Sequence, residues 1–366
     1  MNDWGLSVLS RYPVTVRGTK KVRGALLCDT ADGLYLLQEY HGSERRLQRE
    51  AEILEFTAHR GGYLTDVIIP DEEGRLWNRN EEGNRYVLKR WYPYPECSAQ
   101  SRSDVSQAVR LLARLHLLLR RVPEAEHAAG SDAPGAQHVQ MEEKSGISAE
   151  SGVDAGKGGA GSGSSQSGEG QKSLFLLYEK HTRELRRAAA YLKRKKKKTP
   201  LEEWIMKSFD GLYRQAVQAS EQLERSAYES LRAKAEEEKH IYHGSYHQHN
   251  VLVGSSKIAS VNYERYGVGL QLTDLYQFMR KILEKHNWNQ DVGRMMLQEY
   301  ERILPLLPEE RQVLAGMFSY PEKYWKQINF YLNSSKVWTP DKNVEKLKQA
   351  IGQADARVRF VSMVLH

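Results

Sequence analysis

Cysteine is nearly absent from this sequence. Cys28 and Cys97 are the only two in 366 residues, and they stand far apart with no metal-binding spacing around them. A reducing compartment is the default reading, with a single disulfide left open. Long apolar runs are absent too: no stretch reaches the roughly 18 residues that a membrane-crossing helix needs. The opening residues MNDWGLSVLSRY lack the apolar centre of a secretory leader. The expectation is a soluble protein made in the cytosol, with no transmembrane segment. Charge of one sign is not in large excess. The 54 basic and 47 acidic residues leave +7, which permits contact with an anionic surface without requiring nucleic acid. No repeat period is visible. What is present is ordinary globular material, 40% apolar with 7 Trp and 20 Tyr, in a chain long enough for two lobes with separate cores.

Residues 1–91 read as a small mixed lobe. Short β-prone runs (Val14–Val16, Val22–Cys28, Gly33–Tyr40) are separated by Gly and Asp and suggest an antiparallel meander. Leu47, Ala51, Leu54 and Phe56 then recur at helical spacing behind Ser43, a suitable N-cap. Further strands are expected at Asp66–Pro70, Arg75–Trp77 and Arg85–Trp91, with turns at Asp71–Gly74 and Glu81–Asn84. Tyr92-Pro-Tyr-Pro-Glu96 interrupts the last strand and marks a hinge.

Residues 92–125 continue into a helix capped by Ser103 or Asp104, with Val105, Val109, Leu112, Leu115 and Leu119 on one face. From 126 to 173 the composition collapses to Gly, Ser, Ala, Gln and Glu, which reads as a disordered surface insertion. Residues 174–366 are then mostly helical. Leu174–Leu192 runs into the basic segment 193–198. Pro200 starts a second, charged helix to about 239, so the basic run should cap a helical hairpin. A solvated tip is the plain reading of that run; an anionic polymer, a membrane or an acidic protein is the sharper one.

The chemistry should lie between this hairpin and the short strand Lys257–Tyr263. His243-Gly-Ser-Tyr-His-Gln-His-Asn250-Val-Leu has the spacing of the catalytic loop in kinases of the aminoglycoside and choline type. Such a loop carries an Asp two residues after the His to position the acceptor hydroxyl, and an Asn five further on that holds metal. Asn250 is present, but the Asp position is Ser245. The next metal ligand would be an Asp on the following strand, where this chain has Asn262; an amide is a poor ligand for Mg²⁺ without a carboxylate beside it. Glu264 could substitute only if it left the strand on the same face. In the first lobe the phosphate lysine would fall at Gln38, and Glu50 would be its helical partner. Without that lysine, Glu50 reads as an exposed helical residue. Residues 17–24 contain two glycines and four cations but no dense phosphate-binding pattern. His243, His247 and His249 do not have a zinc spacing, and His243 reads as a residue pinning the loop backbone. No G-x-S-x-G nucleophile elbow surrounds Ser245.

Several of these segments together resemble one family. They are Leu36–Tyr40 with Gly42–Glu44 and Glu50, Leu112-Ala-Arg-Leu-His116, the 243–252 loop, Val261-Asn-Tyr-Glu264, Thr273-Asp-Leu-Tyr276 with Phe278, Arg280 and Lys281, and Tyr320–Trp325 with Tyr331, Asn333 and Trp338. In these the chain is similar to the bacterial spore coat protein S (CotS) family, related to aminoglycoside and choline phosphotransferases. The resemblance covers nearly all of the chain outside 126–173. It implies an α+β, two-lobed protein-kinase-like fold with a small mixed N-lobe and a large, mostly helical C-lobe. It also implies sporulation, manufacture in the mother-cell cytoplasm, deposition on the spore coat and other coat proteins as partners. Asp274 then reads as a residue that caps a helix and holds the loop.

Three readings stay open. The first is a pseudokinase, a structural coat protein with a degraded catalytic site at Gln38, Ser245 and Asn262 and no cofactor. The second is an ATP- and Mg²⁺-dependent small-molecule phosphotransferase with displaced groups, in which Glu50, Asn250 and Glu264 serve the cofactor, Asn250 and Glu264 the metal, and Asp274 assists. The third is a nucleotide- or sugar-binding module without turnover.

Overall fold

The computed structural model describes residues 5–124, 173–333 and 341–365. Trp338 and almost the whole 126–173 insertion lie outside them. The chain has the α+β architecture expected: an antiparallel sheet with one helix, followed by a helical body.

Strands β1 (Val16–Val22), β2 (Ala25–Thr30) and β3 (Gly33–Glu39) form the meander. Helix α1 (Glu44–Arg60) follows, and the Ser43 hydroxyl accepts from the Arg46 N–H as its cap. After β4 (Leu64–Thr65), β5 (Ile68–Ile69) and β6 (Asn78–Arg79), the long strand β7 (Arg85–Trp91) returns to pair with β3. The sheet order is β1-β2-β3-β7-β5, with β6 also on β7. The strand expected at 75–77 is displaced to Asn78–Arg79.

Alternation along these strands divides the sheet into two faces. Tyr35, Leu37, Tyr86 and Leu88 pack with Leu26, Cys28 and the N-terminal turn residues Val8 and Leu9. The other face, with Val87, turns to Leu47, Ile53 and Leu54 of α1. Cys28 and Cys97 are both buried as free thiols.

The segment after β7 pairs with the backbone of residues 251–253. Cys97 N–H donates to the Val251 carbonyl and Val253 N–H to that of Pro95. Helix α2 (Arg102–Leu119) is capped by Ser101, not Ser103 or Asp104, because the Ser101 hydroxyl accepts from the Asp104 N–H. Helices α3 (Leu174–Arg194) and α4 (Pro200–Arg225) pack together, with the basic segment joining them. Thr199 and Glu202 form a capping box at the start of α4. The helix expected to reach 239 breaks at Ser226 and resumes as α5 (Tyr228–Glu237).

Beyond α5 come β8 (Ile241–Tyr242), β9 (Val251–Val253), β10 (Ile258–Ser260) and β11 (Gly267–Val268). Strand β10 pairs antiparallel with β9 and parallel with β4, which ties the lobes together directly beneath the loop. Helices α6 (Leu272–Lys285), α7 (Gln290–Glu301), α8 (Pro308–Ser319), α9 (Glu322–Asn333), α10 (Asp341–Gly352) and α11 (Ala354–Val364) complete the body. Gln271 rather than Thr273 occupies the N-cap of α6. Two segments of the resemblance meet here: the Tyr276 hydroxyl donates to Glu322 at 2.6 Å, and Arg280 lies 3.5 Å from the same carboxylate. Among the described residues no helix is long and apolar enough to cross a membrane.

Candidate functional site

Strand register decides the first half of the site. Leu36 pairs with Lys89 and Gln38 with Val87, so all four side chains leave the sheet on the face toward α1. Glu50 comes from the facing side of α1. Lys89 Nζ donates to Glu50 Oε1 at 2.7 Å, and neither side chain is accessible to solvent. Asp66, just after β4, places Oδ2 3.7 Å from the same ammonium and is equally buried. Glu264 Oε1 stands 4.0 Å away, its side chain 38% exposed, and accepts from Gln38 Nε2.

This arrangement corrects the reading of Glu50. It is not an exposed helical residue; it is a fully buried carboxylate with a lysine partner. Gln38 is an amide as expected, yet the cation is present on that sheet face, supplied by the neighbouring strand. Burial alone would push Lys89 toward neutrality, and Glu50, Asp66 and Glu264 outweigh it and raise its pKa. Burial pushes the Asp66 carboxyl up to about 7, because Lys89 and the Asn262 N–H offset only part of the desolvation. Glu50 Oε2 and Asp66 Oδ1 are buried without hydrogen-bond partners.

The expected route for Glu264 also changes. Strand β10 ends at Ser260, and Asn262 takes a left-handed conformation with φ 65°. A short 3₁₀ turn over Tyr263–Arg265 follows. Strand alternation therefore no longer governs Glu264, and the turn carries its carboxylate to Lys89. Arg46 fastens this turn to α1 by donating to the carbonyls of Glu264 and Tyr266.

The second half of the site is the loop. Asp274, at the start of α6, accepts from the backbone N–H groups of His243 (2.6 Å) and Gly244 (2.9 Å). Its Oδ2 lies 3.4 Å from His116 Nε2 at the end of α2. His243 Nε2 reaches the Val261 carbonyl at 3.1 Å, and its Nδ1 accepts from Ser245 N–H. Burial lowers the His243 pKa to about 4, so the ring is neutral at pH 7. Gly244 has φ 75°, and a Cβ there would stand 1.9 Å from the Arg265 carbonyl oxygen. The loop backbone and the 3₁₀ turn therefore touch at a point where only glycine fits.

Inside this frame the candidate positions are amides and a hydroxyl. Asn250 Nδ2 donates to the Ser245 carbonyl (2.8 Å) and lies 3.2 Å from Ser245 Oγ. Asn262 Nδ2 donates to Asn250 Oδ1 at 2.8 Å, and Asn262 N–H donates to Asp66 Oδ2 at 2.9 Å. A continuous polar chain thus runs from Lys89 through Asp66, Asn262 and Asn250 to Ser245. The two amides that a metal would need bind each other, and neither position has a carboxylate. Among the described residues, no group of three or more His, Cys, Asp or Glu side chains is arranged to hold a metal ion.

The structure therefore brings Gln38, Glu50 and Glu264 together around Lys89, and Ser245, Asn250 and Asn262 around one another. Sequence reasoning missed Lys89 and Asp66. The available signal for Lys89 was its place in a run Tyr-Val-Leu-Lys, two residues from the core residue Val87 and so on the same strand face. Asp66 offered only a carboxylate opening the apolar run Val67–Ile69.

No known protein-family profile matches this chain, and no curated protein is similar to it in sequence. Solved structures are similar in fold. An aminoglycoside phosphotransferase from Alicyclobacillus acidocaldarius superposes with TM-score 0.77 at 13% identity, over 98% of this chain and 94% of that one. A spectinomycin phosphotransferase, solved with ADP and spectinomycin, gives TM-score 0.59 at 10% identity, over 96% and 97% of the two chains. A microcompartment-associated aminopropanol kinase gives 0.53 at 13% identity, over 97% and 96%. This chain has the protein-kinase-like fold of such phosphotransferases.

Proposed function

We propose that this chain is a pseudokinase, a kinase-fold protein that works through binding and packing without transferring phosphate. One observation carries the reading: the loop is held in place by buried Asp274 and His243, while the position that should orient an acceptor hydroxyl is Ser245. Phosphoryl transfer depends on positioning and on charge. A serine hydroxyl bonded to Asn250 supplies neither a carboxylate nor a negative field. A catalytic Mg²⁺ does not fit the donor set, since Asn250 and Asn262 are joined amide to amide.

The resemblance of segments along the chain to spore coat protein S supports a structural place in the spore coat. In that setting the protein is made in the mother-cell cytoplasm and binds other coat proteins. The exposed cations Lys193, Arg194, Lys196 and Lys197 are a contact surface suited to an acidic partner.

A phosphoryl-transfer assay on the purified chain tests the central claim, with ATP or GTP, Mg²⁺ and a panel of aminoglycosides, amino alcohols and sugars. No turnover above background is expected. Product formation that Ser245→Ala abolishes would overturn it. A second reading, a phosphotransferase with displaced groups, is favoured by one specific observation, the intact Lys89–Glu50 pair. Turnover by the wild-type chain that Lys89→Met abolishes would support it, whereas turnover appearing only in Ser245→Asp/Asn262→Asp would leave the pseudokinase reading standing.

A further inference from the structure

Charge is unevenly placed in this molecule. Residues 174–198, helix α3 and the segment that joins it to α4, hold ten Lys and Arg against only Glu179 and Glu184. That segment is +8 in a chain of net +7, so the other 341 of the 366 residues together carry −1. Of the two acids, Glu184 accepts from Trp325 Nε1 at 2.8 Å, and Glu179 lies 3.9 Å from Arg183. Lys195 pairs with Glu202, and the remaining eight cations have no carboxylate partner among the described residues.

Helix α3 has two faces. Tyr178, His181, Leu185, Ala188 and Leu192 are buried in the C-lobe. Leu176, Lys180, Arg183, Arg187, Tyr191 and Arg194 follow one another at steps of four, three, four, four and three, which keeps them on the opposite face, and all six are exposed. The row is roughly 27 Å long at the rise of an α-helix, and the exposed Lys196 and Lys197 extend it. Within it Leu176 is 58% and Tyr191 59% exposed. A nucleic acid or an acidic peptide offers the cations a match and Leu176 none. A bilayer of anionic lipids matches both, because its charged headgroups lie directly over an apolar layer and tyrosine sits well at that boundary.

We propose that the outer face of α3, continued by Lys196 and Lys197, docks this protein on the surface of a membrane rich in anionic lipid. The cations hold headgroup phosphates and carboxylates, while Leu176 and Tyr191 reach the boundary between headgroups and acyl chains. Because the rest of the chain is −1, attraction is confined to this face and fixes which side of the molecule meets the membrane. The inference rests on the acidic-partner reading of this segment and gives that partner a chemical class. It is independent of whether the fold transfers phosphate.

The test is co-sedimentation of the full chain with vesicles of phosphatidylcholine alone and of phosphatidylcholine with phosphatidylserine at about 2:1. Capture on immobilised poly-glutamate and on duplex DNA runs beside it. Expected is binding to the mixed vesicles that about 0.5 M NaCl removes, and none to the neutral ones. Lys180→Gln/Arg187→Gln/Arg194→Gln should weaken it by at least about tenfold, since each cation near such a surface is worth roughly fivefold. Arg225→Gln/Lys234→Gln/Arg302→Gln removes the same charge from exposed sites elsewhere and should leave binding nearly unchanged. Leu176→Ser/Tyr191→Ser should weaken vesicle binding and leave poly-glutamate capture as it was. No sedimentation with mixed vesicles at low salt overturns the proposal, as does equal weakening by the two triple variants. Vesicle binding indifferent to Leu176→Ser/Tyr191→Ser, or capture by poly-glutamate or DNA without vesicle binding, overturns it too and leaves the acidic-partner reading in place.

Discussion

Lys89 Nζ lies 2.7 Å from Glu50 Oε1, and both side chains are wholly closed to water. Removing one member of a buried ion pair leaves the other charged and uncompensated, at a cost of roughly 3–5 kcal/mol. Lys89→Met and Glu50→Ala should each lower stability by about that much in urea denaturation. A loss within about 0.5 kcal/mol, the range of an exposed surface change, would mean that the pair contributes nothing to folding.

Asp66 gives a pH dependence of known sign. Its folded pKa, pushed up to about 7, lies above the unfolded value of roughly 3.9. The native state therefore binds this proton more tightly, so the group's contribution to stability is largest in acid and declines as pH rises from about 4 through 7. Asp66→Asn keeps an acceptor for the Asn262 N–H and removes the titration. The stability of wild type relative to this variant should fall between pH 5 and pH 8. Parallel stability curves for the two proteins would refute the assignment.

Asp274 holds two backbone donors of the loop, the buried N–H of His243 and the half-buried N–H of Gly244. Each donor left without an acceptor costs about 1–3 kcal/mol, so Asp274→Ala should destabilise by about 3 kcal/mol. Amide hydrogen exchange at His243 and Gly244 should accelerate far more than exchange in the β1–β3 meander. Uniform acceleration across the chain would indicate only global destabilisation.

Two glycines with similar left-handed backbones separate strain from collision. Gly24 has φ 68° with nothing within 4 Å of an added Cβ, whereas at Gly244 that atom would strike the Arg265 carbonyl oxygen. Gly24→Ala should cost only the conformational penalty of about 1–2 kcal/mol. Gly244→Ala should cost several times more or prevent folding. Equal melting temperatures for the two variants would contradict the close approach of loop and turn.

Much of this molecule was legible from its residues alone. Ser43 announced α1, Pro200 announced α4, and Tyr92-Pro-Tyr-Pro-Glu96 announced the end of β7. These are local signals, set by a cap, a fixed proline φ or a broken strand, and local signals survive without tertiary context. The uncharged side chains of Gln38, Ser245 and Asn262 were equally plain, because charge is a property of side-chain type. What residue order could not reveal was where compensating charges would arrive. Lys89 and Glu50 are 39 positions apart, and they meet only because the Leu36–Lys89 register faces that lysine toward α1. Glu264 reached the same lysine only because Asn262 leaves the strand conformation, which side-chain alternation cannot foresee. Sequence by itself determined most of the elements and the residue types at Gln38, Ser245 and Asn262. Tertiary structure alone decided which charges meet, since a buried ion pair depends on distance and desolvation, and both are properties of packing.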